Sequence, residues 1–540
     1  MSTHTKRSTL PWSRRAPEDV AFDTVVIGSG MGGMTAAALL AKQGKKVLVL
    51  EQHYVPGGFT HTFKRKGYLW DVGVHAVGEV TTRSQPGRIL HALTDGKLQW
   101  ASLGPVYDEF HFPEQLRIDF PNDKDTFREN LVAAFPDEEA AIDGYLSLVR
   151  LTCQEMQSYY LRRALPRKLD FVSGFLPGKK TDVDFSRTTK AVIEELTDNP
   201  KLQMVFAAQW GYYGSIPSRS SWVMQALVVK HFWYGGYYPI GGSGVIAETL
   251  LQTVADAGGW TMTMADVAEI LLNGDTAVGV RLKDGQTFHA KQIISAAGVQ
   301  STVRRLLPGR VQQQPWAQEV AELRPASAHV CLYIGFKGDI TTAGAGSANK
   351  WFYDTWSLDF EAWDVSDPDN LATADILYCS FPSLKDPHHD PGPEVRHTGE
   401  VVTFVPWQTF TQWEDSKWRK RGDDYDAFKA KMQAVLLEQL LTHMPGLRGM
   451  VDYVELSTPL STDTFCRPMK GSIYGIEPTP ERFAVDALRP ASPIKRLYFA
   501  GSEITSVGVI GAMMGGLMAA VAAEPVGTMR YLRKLPRHAG

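Results

Sequence analysis

Between Asp23 and Glu51 the chain reads DTVVIGSGMGGMTAAALLAKQGKKVLVLE, and few folds can hold such a stretch. Residues 24–27 are a short apolar, largely β-branched run, the pattern of a strand buried on both faces. Gly28, Gly30 and Gly33 follow in G-x-G-x-x-G spacing. Residues 36–40 continue a helix that Gly44 can end in the left-handed conformation, and residues 47–50 return as a second strand. The spacing predicts separate work for each glycine. The first permits a tight turn, the second lets the backbone approach a pyrophosphate, and the third lets helix pack closely on strand. The turn Gly28, Ser29, Gly30, Met31, Gly32, Gly33 then offers phosphates unpaired N–H groups at the positive end of a helix dipole. Glu51 lies 23 residues after Gly28, where a carboxylate can accept hydrogen bonds from both hydroxyls of a ribose. Strand, helix and acid together are the context this motif requires.

At 540 residues the chain exceeds what one core holds, so two or three domains are expected. Hydrophobic residues at 44% and charged ones at 21% fit a soluble globular protein. A net charge of −3 argues against nucleic acid as the main partner. Cys153, Cys331, Cys379 and Cys466 are far apart, as suits buried thiols in a reducing compartment rather than disulfides or zinc. Residues 1–20 are polar and basic, without the apolar stretch of a secretory signal. They are expected to be a disordered tail, with weak contact to anionic lipid through Lys6, Arg7, Arg14 and Arg15 as the alternative. The expected location is cytoplasmic, peripheral at a membrane at most.

Past Glu51 come Gln52 and a glycine pair, Gly57-Gly58, followed by GYLWDVGVH at 67–75. A nicotinamide-binding domain would repeat strand and helix here, whereas this chain runs straight into an extended segment. Residues 80–235 contain no second nucleotide fingerprint, so any reductant must arrive by docking or through another protein. Two aromatic–glycine clusters stand at 209–217 and 235–244. Residues 494–503 read as a strand ending in Gly501, Ser502 and Glu503, and residues 507–523 are 17 uncharged residues with four glycines. That run is short for a membrane span and reads as a buried helix.

LEQHYVPGG, GYLWDVGVH and the two clusters resemble the phytoene desaturase, carotenoid isomerase and retinol saturase family of flavoproteins, most closely its retinol saturase-like branch. The resemblance covers nearly the whole chain beyond residue 20. It implies an α/β fold: an FAD-binding Rossmann domain of the glutathione-reductase type, parallel sheet plus β-meander, with a discontinuous α+β substrate domain. The expected division is 21–80, 236–300 and 475–528 for FAD, and 81–235 with 301–474 for substrate. It also implies that Val267 touches adenine through its backbone and that Glu503 reaches toward the ribityl–pyrophosphate region. The helix beginning near Val509 and Ile510 would then point at the flavin pyrimidine.

Other expectations follow from pattern. Residues 127–202 are mainly helical, and 159–180 mix basic and apolar residues as in a membrane-contact patch or a solvated loop. A helix is predicted at 245–257, and strands at 261–270, 277–282, 285–290 and 292–297. Trp351, Phe352, Tyr353, Trp356, Phe360 and Trp363 are candidates to line a tunnel or to pack a sheet. His388, His389, Asp390 and His397 sit among prolines and read as a solvated loop, not a metal site.

The resemblance implies FAD-dependent chemistry on carbon–carbon double bonds of an apolar polyene or unsaturated lipid, by saturation, desaturation or isomerisation, with an unnamed electron donor or acceptor. Saturation needs a proton donor, and His75, following Asp71-x-Gly73, suits acid–base work. Tyr212 and Tyr238 are further candidates. Two readings from other classes stand beside it, a flavin amine oxidase and a non-catalytic prenyl-binding protein of the GDP-dissociation-inhibitor type.

Overall fold

The computed structural model describes residues 10–17, 20–164, 184–359 and 362–536. At its centre is a six-stranded parallel sheet in the order Trp12–Ser13, Trp260–Thr263, Val47–Glu51, Thr24–Ile27, Gln292–Ser295, Leu497–Phe499. Its strands come from three widely separated parts of the chain, 12–51, 260–295 and 497–499, and the inner ones are short, apolar and buried on both faces.

One face is covered by helices Met31–Ala41, Gly244–Asp256 and Gly508–Ala523. The other carries the antiparallel meander Val267–Asn273, Thr276–Leu282, Thr287–His289. The first and last of these helices touch main chain to main chain. A β-carbon at Gly516 would lie 2.2 Å from the carbonyl oxygen of Gly32, and one at Gly32 would lie 2.6 Å from Cα of Gly501. The glycines of the 507–523 run therefore let two helices and a strand end converge. Gly516→Val is expected to cost about 1–3 kcal/mol through overpacking, read as an earlier urea midpoint at unchanged m-value.

The first twenty residues are not wholly a tail. Trp12–Ser13 pairs in parallel with Thr261 and Met262 at the sheet edge, where the outer strand offers unpaired backbone groups and Trp12 packs onto the helical face. The strand expected at 261–270 is two strands in two sheets. The chain leaves the parallel sheet after Thr263, turns through Met264 with φ 59°, and enters the meander at Val267. Met264 and Ala265 donate their N–H groups to His53 and Glu51 carbonyls, which holds the crossing.

A second, seven-stranded sheet runs Val451–Ser457, Ala328–Lys337, Arg396–Val405, Ile376–Ser380, Asn349–Tyr353, Val106–His111, Arg117–Pro121. Only the pairing of Asn349–Tyr353 with Val106–His111 is parallel. Helix Asp423–His443 buries Tyr425, Phe428, Met432, Leu436 and Leu440, spaced by three or four residues, against one face. The opposite face meets a helical layer that includes Glu139–Ala164 and Trp222–His231. The patch expected at 159–180 falls mostly on residues 165–183, outside the described residues, as does Phe360. Among the described residues no helix is long and apolar enough to cross a membrane.

Candidate active site

Where the glycine turn meets the ends of the parallel strands, a groove of about 520 Å³ opens. Gly28, at φ 91°, makes the turn that no β-carbon would allow without strain. Nothing lies within 4 Å of a β-carbon position on Gly30, which faces the groove, while one on Gly33 would lie 2.1 Å from the Gly28 carbonyl oxygen. The three glycines thus divide as expected into turn, open cradle and close packing.

Gly28, Gly30, Met31, Gly32, Glu51, Gln52, Gly57, Gly58, Val267, Gly501, Glu503 and Val509 all line this groove. The residues run from the meander at Val267, across the glycine turn, to the first turn of helix Gly508–Ala523. Ser29 and Gly33 stand just behind it. Ile510 lines the adjoining cavity instead.

Glu51 is 5% exposed, and the protein already uses it. Its Oε2 accepts from Ser29 N–H at 2.9 Å and Ser29 Oγ–H at 2.5 Å, and its Oε1 accepts from His53 N–H at 2.8 Å. Ser29 Oγ in turn accepts from Gly57 N–H at 2.9 Å. A carboxylate has about four acceptor positions, so one is left for a ribose hydroxyl. The acid therefore clamps the glycine turn as well as facing the groove. Glu503 behaves similarly. It accepts from the backbone N–H groups of Val299, Gln300 and Ile476 at 2.5, 3.2 and 3.2 Å, and burial raises its pKa, opposed by Arg482. It ties two loops at the groove wall, and its acceptor positions are largely spent there.

A second cavity, of about 170 Å³, adjoins the groove. The two share Gly73, Ile473, Tyr474, Gly508 and Val509. Its wall is mostly apolar or aromatic: Met224, Leu227, Val228 and Phe232 from the helical layer, Trp351, Ile376, Val402 and Phe404 from the seven-stranded sheet. Of the aromatic residues at 351–363 considered for a tunnel, Trp351 lines it. Phe352 and Trp363 pack the sheet's other face, and Tyr353 donates its hydroxyl to Ala208 O at 2.5 Å. Gly211 lies against Trp351, whose ring would be 2.6 Å from a β-carbon there. The segment 235–244 reaches neither cavity and instead returns the chain to the parallel sheet.

His75 lines the cavity, with Nδ1 2.9 Å from Glu400 Oε2 and its ring edge-on to Tyr378 at 5.2 Å. Burial, then the nearby Lys385 charge, lower its pKa to about 3, so the imidazole is neutral. Tyr212 also lines the cavity but donates its hydroxyl to Asp108 at 2.8 Å and accepts from Asn349 at 3.1 Å. Tyr238 lines neither space and donates to Asp71, which also accepts from Ser243 N–H at 3.0 Å and Oγ–H at 2.5 Å. Both tyrosine protons are thus held by buried carboxylates rather than offered to the cavity. Burial raises Asp71 to about 6 and Asp108 to about 7.

Asp108, Asn349, Lys385 and Glu400 were not anticipated as site residues. The one local signal was Glu400 itself, a carboxylate set directly against the apolar pair Val401-Val402 in strand Arg396–Val405. The loop with His388 and Asp390 is surface, with His389 bonded to Arg396 O at 2.8 Å, whereas His397, expected in the same solvated loop, is buried in strand Arg396–Val405. Among the described residues no group of three His, Cys, Asp or Glu is arranged to hold a metal.

The sequence model of flavin containing amine oxidoreductases matches residues 31–523. The chain is 34% identical to the all-trans-retinol 13,14-reductase of Danio rerio, over 93% of this chain and 86% of that protein. It is 32% identical to the Homo sapiens protein of the same name, over 94% and 86%. A prolycopene isomerase of Arabidopsis thaliana is 26% identical over 96% and 85%. Among solved structures, putrescine oxidase bound to putrescine aligns with a TM-score of 0.59 at 15% identity, covering 94% of this chain and 99% of that one. An oxidoreductase from Methanosarcina mazei aligns at 0.58 and 16%, over 95% and 100%. At such identity these two speak for the fold alone. The chain belongs to the flavin containing amine oxidoreductase family, within the branch that holds the all-trans-retinol 13,14-reductases.

Proposed function

We propose that this protein is an FAD-dependent reductase of carbon–carbon double bonds in an apolar polyene, with a retinoid-like molecule as its substrate class. The observation that carries the reading is the apolar cavity sharing a wall with the dinucleotide groove, with the partly exposed His75 on that cavity's surface. FAD suits the groove, because its residues span from the meander through the glycine turn to the N-terminus of helix Gly508–Ala523. The open cradle at Gly30 and the carboxylate of Glu51 fit a diphosphate and a ribose. When bound, a flavin supplies hydride transfer at N5, and the protein supplies position, shielding and the proton.

Each residue then has a task. The apolar walls desolvate the polyene and hold it against the shared wall at Gly73, Ile473 and Tyr474. His75 delivers a proton to the carbon that does not receive hydride. With no second nucleotide fingerprint in residues 80–235, electrons come from a separate donor. A peripheral contact with a lipid surface, by which an apolar substrate arrives, belongs to the same reading. The prolycopene isomerase relatives make isomerisation the competing outcome of the test.

Purified protein, reduced with dithionite, is to be incubated with retinoids, carotenoids and unsaturated fatty acids, and the products weighed by mass spectrometry. A gain of two hydrogens on a polyene is the expected result. Unchanged mass with altered retention time would replace reduction by isomerisation, and a colourless preparation that takes up no FAD would end the flavoenzyme reading.

A further inference from the structure

Behind the cavity wall lies a set of buried charged groups that the reading above engages only at His75. The seven-stranded sheet and the segments packed against it bring them together. Glu400 is 1% exposed in the middle of strand Arg396–Val405, and its Oε1 accepts from Asp71 N–H at 3.1 Å. Lys385, 3% exposed, donates to His75 O at 2.7 Å, to Ser380 Oγ at 2.7 Å and to Asn349. Asn349 donates to Asp108 at 2.8 Å.

One junction is unfinished. Among the described residues neither His75 Nδ1 nor Glu400 Oε2 has a well-aligned hydrogen-bond partner, although both atoms are shut off from solvent. They stand 2.9 Å from one another. Two buried polar atoms so placed are costly unless a proton lies between them. The rest of the His75 side chain keeps 13% exposure and lines the cavity.

We propose that Glu400 is the proton store for reduction, handing its proton to His75 Nδ1 as His75 releases the proton on Nε2 to the substrate. The inference rests on the cavity being a site of double-bond reduction. In the step, one carbon of the double bond takes hydride from a two-electron-reduced flavin, and the π pair forms the second C–H bond with the Nε2 proton. The Nε2–H bond breaks and an Nδ1–H bond forms. The Glu400 O–H bond breaks and leaves a carboxylate, which Lys385 and the Asp71 N–H stabilise. Solvent entering the emptied cavity reloads the pair between turnovers.

The electrostatics agree with the geometry. Burial holds Glu400 well above the carboxylate range, opposed by Lys385 and the Asp71 N–H. His75 is held neutral, so the acid carries the proton and the imidazole nitrogen is free to accept it. Lys385 is depressed to about 7 by burial, opposed by the Asp108 and Asp71 carboxylates and, once Glu400 has given up its proton, by Glu400 as well. Asp71, raised to about 6 by burial and then by Glu400, is the neighbouring carboxyl that shares the region. Tyr238, Tyr378, Cys331 and Tyr333 also feel Glu400, and burial raises all four, so these four add no charge near neutral pH. His329, which also lines the cavity, is lowered to about 4 by burial.

Glu400→Gln in the flavin-bound protein is the test, because the amide keeps shape and hydrogen bonding but has no proton to give. Infrared difference spectra at neutral pH, without substrate, are expected to show a protonated-carboxyl stretch that the variant lacks. Turnover is expected to fall about 10²-fold, the lower end for general acid catalysis, with KM and flavin content unchanged. Absence of an E400-dependent carboxyl band would overturn the proposal, as would unaltered turnover in a variant that has lost the band. Should E400Q fail to fold, Glu400→Asp is to carry the comparison, with a shifted band and lowered turnover expected and an unmoved band or full turnover counting against it. If the natural protein reduces no polyene, the function reading falls, while the infrared band still decides whether Glu400 holds a proton.

Discussion

Replacing Glu51 by alanine is expected to yield protein largely stripped of flavin and visibly destabilised. The carboxylate accepts from two backbone N–H groups, of Ser29 and His53, and from the Ser29 hydroxyl. All lie in the interior, where each unsatisfied donor costs about 1–3 kcal/mol. The loss reaches Gly57 as well, because its N–H donates to the same Ser29 oxygen. Two loops that shape the groove would therefore loosen together, and a ribose hydroxyl would lose its acceptor. Flavin absorbance per mole of purified protein and a denaturant titration measure the two effects. Glu51→Gln keeps an acceptor oxygen and is expected to lie between. Full flavin occupancy in the alanine variant would mean that the adenosine is bound elsewhere.

His75→Phe is expected to lower turnover by about 10²–10⁴-fold, the span of general acid–base catalysis, while flavin content stays near that of the natural protein. The phenyl ring keeps the edge-on packing that His75 makes with Tyr378, and His75 is absent from the groove lining. A thermal melt beside the assay separates catalytic loss from structural loss. Unchanged turnover would make His75 a packing residue. The Tyr238 hydroxyl is committed to Asp71, so Tyr238→Phe would act through the position of Asp71 rather than on the substrate.

What the sequence made legible was local. Gly28, Gly30, Gly33 and Glu51 lie within one strand–turn–helix–strand unit, where spacing alone dictates geometry, and the structure gives each glycine its expected surroundings. The helix predicted at 245–257 appears as Gly244–Asp256 for the same reason. The break in 261–270 was not legible, since residues on both sides of Met264 favour strands and nothing nearby says that the sheet changes. The charged cluster was hidden by distance along the chain. Asp71 and Glu400 are 329 positions apart and His75 and Lys385 310, and the packing of strand Tyr68–Asp71 and of the turn at Pro382–Leu384 against strand Arg396–Val405, not motif, brings them together. Aromatic content misled in a similar way. Trp351 and Phe352 are neighbours in one strand, yet the pleat sends them to opposite faces, one toward the cavity and one into the packed layer.

The meeting of Gly32, Gly501 and Gly516 has a consequence for how such a protein can change. Contact made by main chain alone has no side chain to trade, so this wall of the groove offers mutation no gradual path: a substitution there either fits or forces the helices apart. The cavity wall is assembled from separate side chains on another sheet and another helical layer, each replaceable singly. Mutational freedom is thereby partitioned, with the glycine-built groove wall fixed in place and the cavity wall open to revision.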